Sequence, residues 1–231
     1  MVGFGKRKEG SVPNWCSNTL TVSGKSREEI EAFIARAASG DHVFVGPFAQ
    51  NFDKEKKEFD WGTFTPIYME MLMRDDELFM DKMENKSKLS FHAFVPMPRE
   101  VMLAPYDGNR LQKAKVEYPE WFDRFPNLLA GYDWEHQNWG VKWGACEAEV
   151  SEIWEEGGEY KVDFSFDTAW GPPEDFYYQV GKMYPSLTFH ATYSEEGMGF
   201  EGVVRMEGGE CVESDQWETE REDEEEDEGE E

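Results

Sequence analysis

The histidines and cysteines that could supply acid–base, nucleophilic or metal chemistry are few and scattered. Four histidines, His42, His92, His136 and His190, and three cysteines, Cys16, Cys146 and Cys211, show no CxxC pair and no His at helical spacing from another ligand. No metal site is read from them. His190-Ala-Thr192 has the form of one half of a two-histidine phosphoesterase site. His92-Ala-Phe94, His136-Gln-Asn138 and His42-Val-Phe44 all lack the hydroxyl that a second half needs. GxSxG, a Walker-type glycine loop, GxGxxG after a strand and HExxH are also missing from the sequence, so no catalytic residue and no cofactor is assigned.

Two aromatic segments are the other candidates. Asn138-Trp-Gly-Val-Lys-Trp143 and Thr168-Ala-Trp-Gly-Pro-Pro173 combine indole faces with an amide and an ammonium, a set that can stack on and hydrogen-bond a planar compound. Trp139, Lys142, Trp143, Trp170 and His190 form this candidate pocket. The opposing expectation is structural. Trp139, Val141 and Trp143 share one strand parity, which assigns both indoles to the core, and Trp170 falls where a strand turns into a helix.

Charge is the strongest bulk signal. Fifty acids against 23 bases give a formal net charge of −27 over 231 residues, which repels phosphate backbones and anionic membranes alike. Direct nucleic-acid binding and membrane binding are therefore not expected. Solubility alone, attraction to a basic protein, or imitation of the nucleic acid such a protein binds would each account for the sign. The odd cysteine count and an N-terminus without an apolar stretch fit a reducing cytoplasm. No run approaches the ~18 apolar residues of a membrane span.

The elements that must position these residues follow from periodicity. Asn18 to Ser23 alternates with Leu20 and Val22 on one side, a half-buried strand. Ser26-Arg-Glu-Glu29 is a capping box, followed by a helical stripe of Ile30, Phe33, Ile34, Ala37 and Ala38. Residues 41–137 form a long insertion, with a helix expected over Ile67–Met83 and a strand over Ser90–Val95. Trp121, Phe122, Phe125 and Trp134 lie on a helical or irregular stretch. A strand is expected from Trp139, its parity switched by a bulge at Gly144-Ala145. After the hairpin signal Gly157-Gly158, Tyr160 to Asp167 alternates strictly. Pro172-Pro173-Glu-Asp opens a helix with the stripe Phe176, Val180 and Tyr184. Leu187 to Tyr193 is a further strand, and Phe200 to Met206 is expected as an edge strand.

The order β, α, insertion, β, β, α, β is that of an α+β ferredoxin-like βαββαβ antiparallel sheet, with an extra C-terminal edge strand. Residues 1–12 read as a flexible basic leader and 13–212 as the elaborated domain. From Glu213 to Glu231 there are thirteen acids and one base, so 213–231 is expected to be a disordered acidic tail.

Five segments together resemble the YubB-type ferredoxin-like domains encoded by bacteriophages and plasmids. They are Pro13-Asn-Trp-Cys-Ser-Asn-Thr-Leu20, Phe94-Val-Pro-Met-Pro98, Asn138-Trp-Gly-Val-Lys-Trp143, Phe166-Asp-Thr-Ala-Trp-Gly-Pro-Pro173 and Tyr193-Ser-Glu-Glu-Gly197. The resemblance implies the ferredoxin-like fold and a mobile-element origin, with host-cytoplasmic location if phage-encoded. It brings no established activity, no catalytic residues and no iron–sulfur cluster.

In a single such sheet the helices cover one face. The other face would carry Thr19, Thr21, Glu147, Glu149, Lys161, Asp163, Ser165, Asp167, Thr188, His190 and Thr192. RNA-recognition domains place aromatic and basic residues there, whereas this face is hydroxylic and acidic. The leading expectation is thus a non-enzymatic phage or mobile-element accessory protein. It would bind a basic host protein, such as a nucleic-acid-binding or defence protein, through Glu147, Glu149, Asp163 and Asp167. The alternatives are a small-ligand-binding protein or enzyme using the Trp-rich loops, and a structural component of a phage assembly.

Overall fold

The computed structural model describes residues 14–39, 52–53, 58–59 and 87–219. The leader, the helix expected over Ile67–Met83 and the chain beyond residue 219 lie outside them. Strand β1 (Trp15–Gly24) alternates buried and exposed as its sequence demands. Helix α1 (Arg27–Ala37) starts at Ser26, whose hydroxyl accepts from the Glu29 amide at 3.2 Å, and it buries Ile30, Phe33 and Ala37. A separate two-strand ribbon pairs β2 (Phe52–Asp53) with β3 (Glu58–Phe59). Five helices follow: α2 (Phe91–Phe94), α3 (Arg99–Leu103), α4 (Gly108–Glu117), α5 (Pro119–Phe122) and α6 (Gly131–Trp139). Then come β4 (Cys146–Val150), β5 (Trp154–Glu156), β6 (Glu159–Ala169), α7 (Glu174–Met183), β7 (Thr188–Glu195), β8 (Phe200–Glu207) and β9 (Glu210–Glu218).

The large sheet runs β4-β6-β1-β7-β8-β9, with β5 paired to β6. Its neighbouring strands are antiparallel throughout. Taking β1, β4, β6 and β7 as the four strands of βαββαβ, the first and third lie at the centre, as the split βαβ topology requires. The fold expectation therefore holds. One sheet face carries Leu20, Val22, Val162, Phe164, Phe166, Phe189 and Ala191, all buried. Over them Phe33 stacks on Phe94 at 4.9 Å between centroids, and Phe91 on Phe176 at 3.9 Å. Each such pair adds about 0.5–1.5 kcal/mol beyond burial. Because α2 contributes Phe91 and Phe94 to this core, the described part of the insertion packs on the helix side. Thr19, Ser165, His190 and Thr192 on the opposite face stay exposed.

Four sequence expectations are corrected. Ser90–Val95 is not a strand, because Phe91–Phe94 forms a helical turn whose two Phe rings reach the core together. Trp139 and Trp143 are not on a strand: α6 ends at Trp139 and Gly140 caps it at φ 82°. The bulge falls between Cys146 and Glu149, with Glu147 at φ 51°, and not at Gly144-Ala145. Residues 213–218 are not disordered but form most of β9, paired with β8 from Phe200↔Glu218 to Glu207↔Glu210. β8 is consequently interior and β9 is the edge.

Candidate functional site

Trp15, Trp143 and Trp170 are brought together at one end of the sheet, around Lys142. Trp15 opens β1 and pairs with Ala169, the last residue of β6, so Trp170 follows immediately beside it. The Trp170 amide donates to the Asn14 carbonyl at 2.9 Å. The Trp15 and Trp143 rings lie 6.5 Å apart at 49°. The Lys142 ammonium rests 3.9 Å from the Trp143 ring centre and 5.8 Å from that of Trp170. All three indoles are large and apolar, yet Trp15, Trp143 and Trp170 keep 39%, 49% and 41% of their surface exposed. Contiguous exposure of this kind marks binding surfaces in soluble proteins.

Backbone strain holds two of these rings in place. Trp143 has φ 70° and Trp170 φ 74°, a left-handed conformation that costs a bulky residue about 1–2 kcal/mol. Each is fixed by a polar network. For Trp143 the anchor is Glu135 on α6, a buried carboxylate that accepts from the Trp143 amide at 3.0 Å and from the Tyr106 hydroxyl at 2.6 Å. Burial pushes the Glu135 carboxyl above its ordinary range, although both hydrogen bonds and nearby Lys142 pull it down. Burial, with Glu135 adding to it, also drives the Tyr106 phenol up, so it stays the donor.

For Trp170 the anchor is a buried triad. Asn18 Nδ2 donates to Thr168 Oγ1 at 2.9 Å, Thr168 Oγ1 donates to the Gly171 carbonyl at 2.6 Å, and the Tyr177 hydroxyl donates to Asn18 Oδ1 at 3.0 Å. Asn18 and Thr168 lie on the helix side of the sheet, where unpaired polar groups would be costly, so the network locks the β6–α7 turn. Beneath it, burial and then the Glu195 charge push the Cys16 thiol up to about 12, making it a packing residue and not a nucleophile. Gly140 brings the end of α6 against the start of α7: a Cβ there would meet the Glu174 and Asp175 amides at 3.3 Å.

The open sheet face continues from this cluster, because Trp15 shares the parity of Ser17, Thr19 and Thr21 on β1. Ser17 donates to Asp167 Oδ1 at 3.0 Å and Thr21 to Asp163 Oδ1 at 2.6 Å, so two hydroxyls of β1 orient two carboxylates of β6. Glu149 stands across from Ser165. Farther out Glu201 faces Trp217, and Asp215 faces Val203. Among the described residues of this face the bases Lys161 and Arg205 are already paired, with Glu156 and Glu207. The face is therefore anionic along its length.

Of the sequence candidates, Lys142, Trp143 and Trp170 lie near one another, and Trp15, which the sequence reading did not single out, stands beside Trp143. Trp139 does not join them. It is a core ring whose indole N–H donates to the Val95 carbonyl at 3.0 Å. His190 also lies elsewhere, level with Thr21 and Arg205, about 20 Å along β1 from Trp15. Glu149, Asp163 and Asp167 share the open face, whereas Glu147 stands in the bulge, which brings Cys146 opposite Asp167 instead. Among the described residues no cluster of His, Cys, Asp or Glu could hold a metal ion, and no helix is long and apolar enough to cross a membrane.

The family model for the ferredoxin-like domain in Api92-like protein matches residues 138–231. The uncharacterized protein YubB of Escherichia coli (strain K12) is 36% identical over 83 residues, covering 36% of this chain and 55% of YubB. The chain thus spans about half the length of the curated relative it matches. The crystal structure of the protein Api92 from Yersinia pseudotuberculosis aligns with a TM-score of 0.38 and 12% identity, over 90% of this chain and 99% of that one. Residues 138–231 are thus similar to the ferredoxin-like domain of Api92-like proteins, and the YubB-type resemblance read from the sequence motifs is borne out.

Proposed function

We propose that the chain is a non-enzymatic binding protein, an accessory factor of a phage or similar mobile element, that engages a basic protein partner through its open sheet face. One observation carries this: an open sheet face on which Asp163 and Asp167 are held by hydroxyls of β1 ends at three half-exposed tryptophans. Aromatic rings of that kind supply contact area at low entropic cost, and charges along the face steer and orient a partner. Hydrogen bonds from Ser17 and Thr21 fix the Asp167 and Asp163 carboxylates, which gives the charge a geometry that net acidity alone lacks.

The test compares two variants of equal charge. Neutralising the open-face acids Glu149, Asp163 and Asp167 to Gln and Asn is set against neutralising Glu28, Glu31 and Glu120, which are exposed on the helical side. Partners are captured from bacterial lysate, identified, purified and titrated at rising salt. The face variant should lose affinity for a basic protein by tenfold or more, about 1.4 kcal/mol, and the helix-side variant should keep it. Equal losses would mean that bulk charge alone acts, and tight binding of DNA or RNA by the purified chain would refute the proposal.

A further inference from the structure

We infer that Trp143 and Trp170, with Trp15 at their side, form a cage for an alkylammonium group, and that Lys142 is its tethered resident, to be displaced by a lysine-type side chain of a partner. The inference rests on the binding-protein reading for its partner but names the group recognised. It stands on geometry. The Lys142 ammonium lies directly over one indole and within reach of a second, and a third ring closes beside the first.

The position of Lys142 is informative because the chain is rich in acids. With 50 carboxylate side chains available, a four-carbon lysine stem has many ways to reach a partner. Lys161 and Lys25 do so, at 2.8 Å from Glu156 and 2.9 Å from Glu159. Lys142 makes no ion pair among the described residues and settles on π-faces instead. Indole is the strongest cation–π acceptor among side chains, and cages of aromatic rings select ammonium groups on this basis. An anionic planar ligand would also find Lys142, but it would have to approach Glu135 behind Trp143 and Asp167 one row from Trp15. Those charges favour a cation.

Backbone strain supports the same assignment. A Trp at φ 70° with its amide held by Glu135, and another at φ 74° held by Asn14, keep the rings in position whether or not an ammonium lies between them. The cage is thus preorganised, and a tethered lysine lowers its apparent affinity for an external ligand by occupying it.

The experiment needs no partner. N-acetyl-trimethyllysine amide and its neutral tert-butyl isostere are titrated calorimetrically into the full chain, Lys142→Ala and Lys142→Arg, at ~0.15 M salt to screen the surface charge. Lys142→Ala should bind the cationic probe about tenfold more tightly than the native chain and more tightly than the isostere. Lys142→Arg, which keeps a resident cation, should behave as native. Adding Trp170→Ala to Lys142→Ala should remove the gain, with near-ultraviolet dichroism confirming that the remaining indoles stay ordered. Equal binding by native and Lys142→Ala protein, or equal binding of probe and isostere, overturns the cage. A cage that fails beside an acidic face that still selects its partner leaves the function proposal standing, and the converse result leaves the cage standing.

Discussion

Trp143→Gly and Trp143→Ala should lie in an unusual order of stability. Had Trp143 lain on a strand in the core, its loss would cost the 3–5 kcal/mol of a buried Trp cavity. Its actual site is half exposed at φ 70°. A fully buried Trp hides 150–250 Å², so roughly 80 Å², half of the lower figure, is at stake here, or about 2 kcal/mol at ~25 cal/mol/Å². Loss of the Lys142 contact adds about 0.5–1 kcal/mol. Alanine keeps the left-handed strain, so Trp143→Ala should cost about 2–3 kcal/mol. Glycine releases about 1 kcal/mol of that strain and should cost only about 1–2 kcal/mol. Urea denaturation followed by far-ultraviolet dichroism would measure both. A glycine variant less stable than the alanine variant, or losses near 4 kcal/mol in both, would refute the strained, exposed placement.

Four further outcomes follow from the networks and the edge strand. Glu135→Ala should cost about 1–3 kcal/mol in chemical denaturation by leaving the Trp143 amide without its acceptor. Glu135→Gln keeps an acceptor. Since the native carboxyl is raised in the folded state, it binds more protons folded than unfolded, so its contribution is fullest below the unfolded pKa and falls as pH rises through the folded one. Stability of Glu135→Gln relative to native should therefore grow upward from about pH 4, and a flat difference would contradict the raised pKa. Asn18→Ala leaves the buried Tyr177 hydroxyl without its acceptor and takes from Thr168 the donor that orients it, and should cost about 2–3 kcal/mol, with a change in Trp170 emission. Ending the chain at Val212 strips most of β9 from β8 and should lower Tm by several degrees. An unchanged Tm would restore a disordered tail.

Strict periodicity made β1, α1, β6, α7 and β7 legible, because each buries one face and its sequence records which. β9 was illegible for the opposite reason: all nine of its residues are exposed, so composition carries no apolar record and backbone pairing alone defines it. A signal was nonetheless there. Gly208-Gly209 joins β8 to β9 with φ 60° and 86°, just as Gly157-Gly158 joins β5 to β6. Trp143 misled because its parity matched Trp139 across a helix end, although Gly140 and Gly144 bracket the segment as breakers. Phe91 and Phe94, three residues apart, fit the helical period and would fall on opposite faces of a strand, but so short a run gives no second turn to repeat the pattern. Trp15 escaped notice because exposure on the open face cannot be seen until β1 pairs with β6.

Four of the five segments that carried the family resemblance meet at the tryptophan end of the sheet, and the other packs under the core ring Trp139. The first supplies Asn14, Trp15 and Asn18, the second the Val95 carbonyl under Trp139, the third Lys142 and Trp143, and the fourth Thr168 and Trp170. The fifth brings Gly197 so close to Asn14 that a Cβ would stand 2.5 Å from its amide nitrogen. Folding alone does not call for this construction. Two left-handed tryptophans together cost about 2–4 kcal/mol, a substantial part of the 5–15 kcal/mol that holds a domain together. Turning the same rings inward would bury apolar surface and strengthen the core. A buried glutamate and a buried asparagine are instead used to hold them outward. Under the proposed binding function, this sustained strain serves the binding surface, and the tethered Lys142 mirrors the charge of the group bound there.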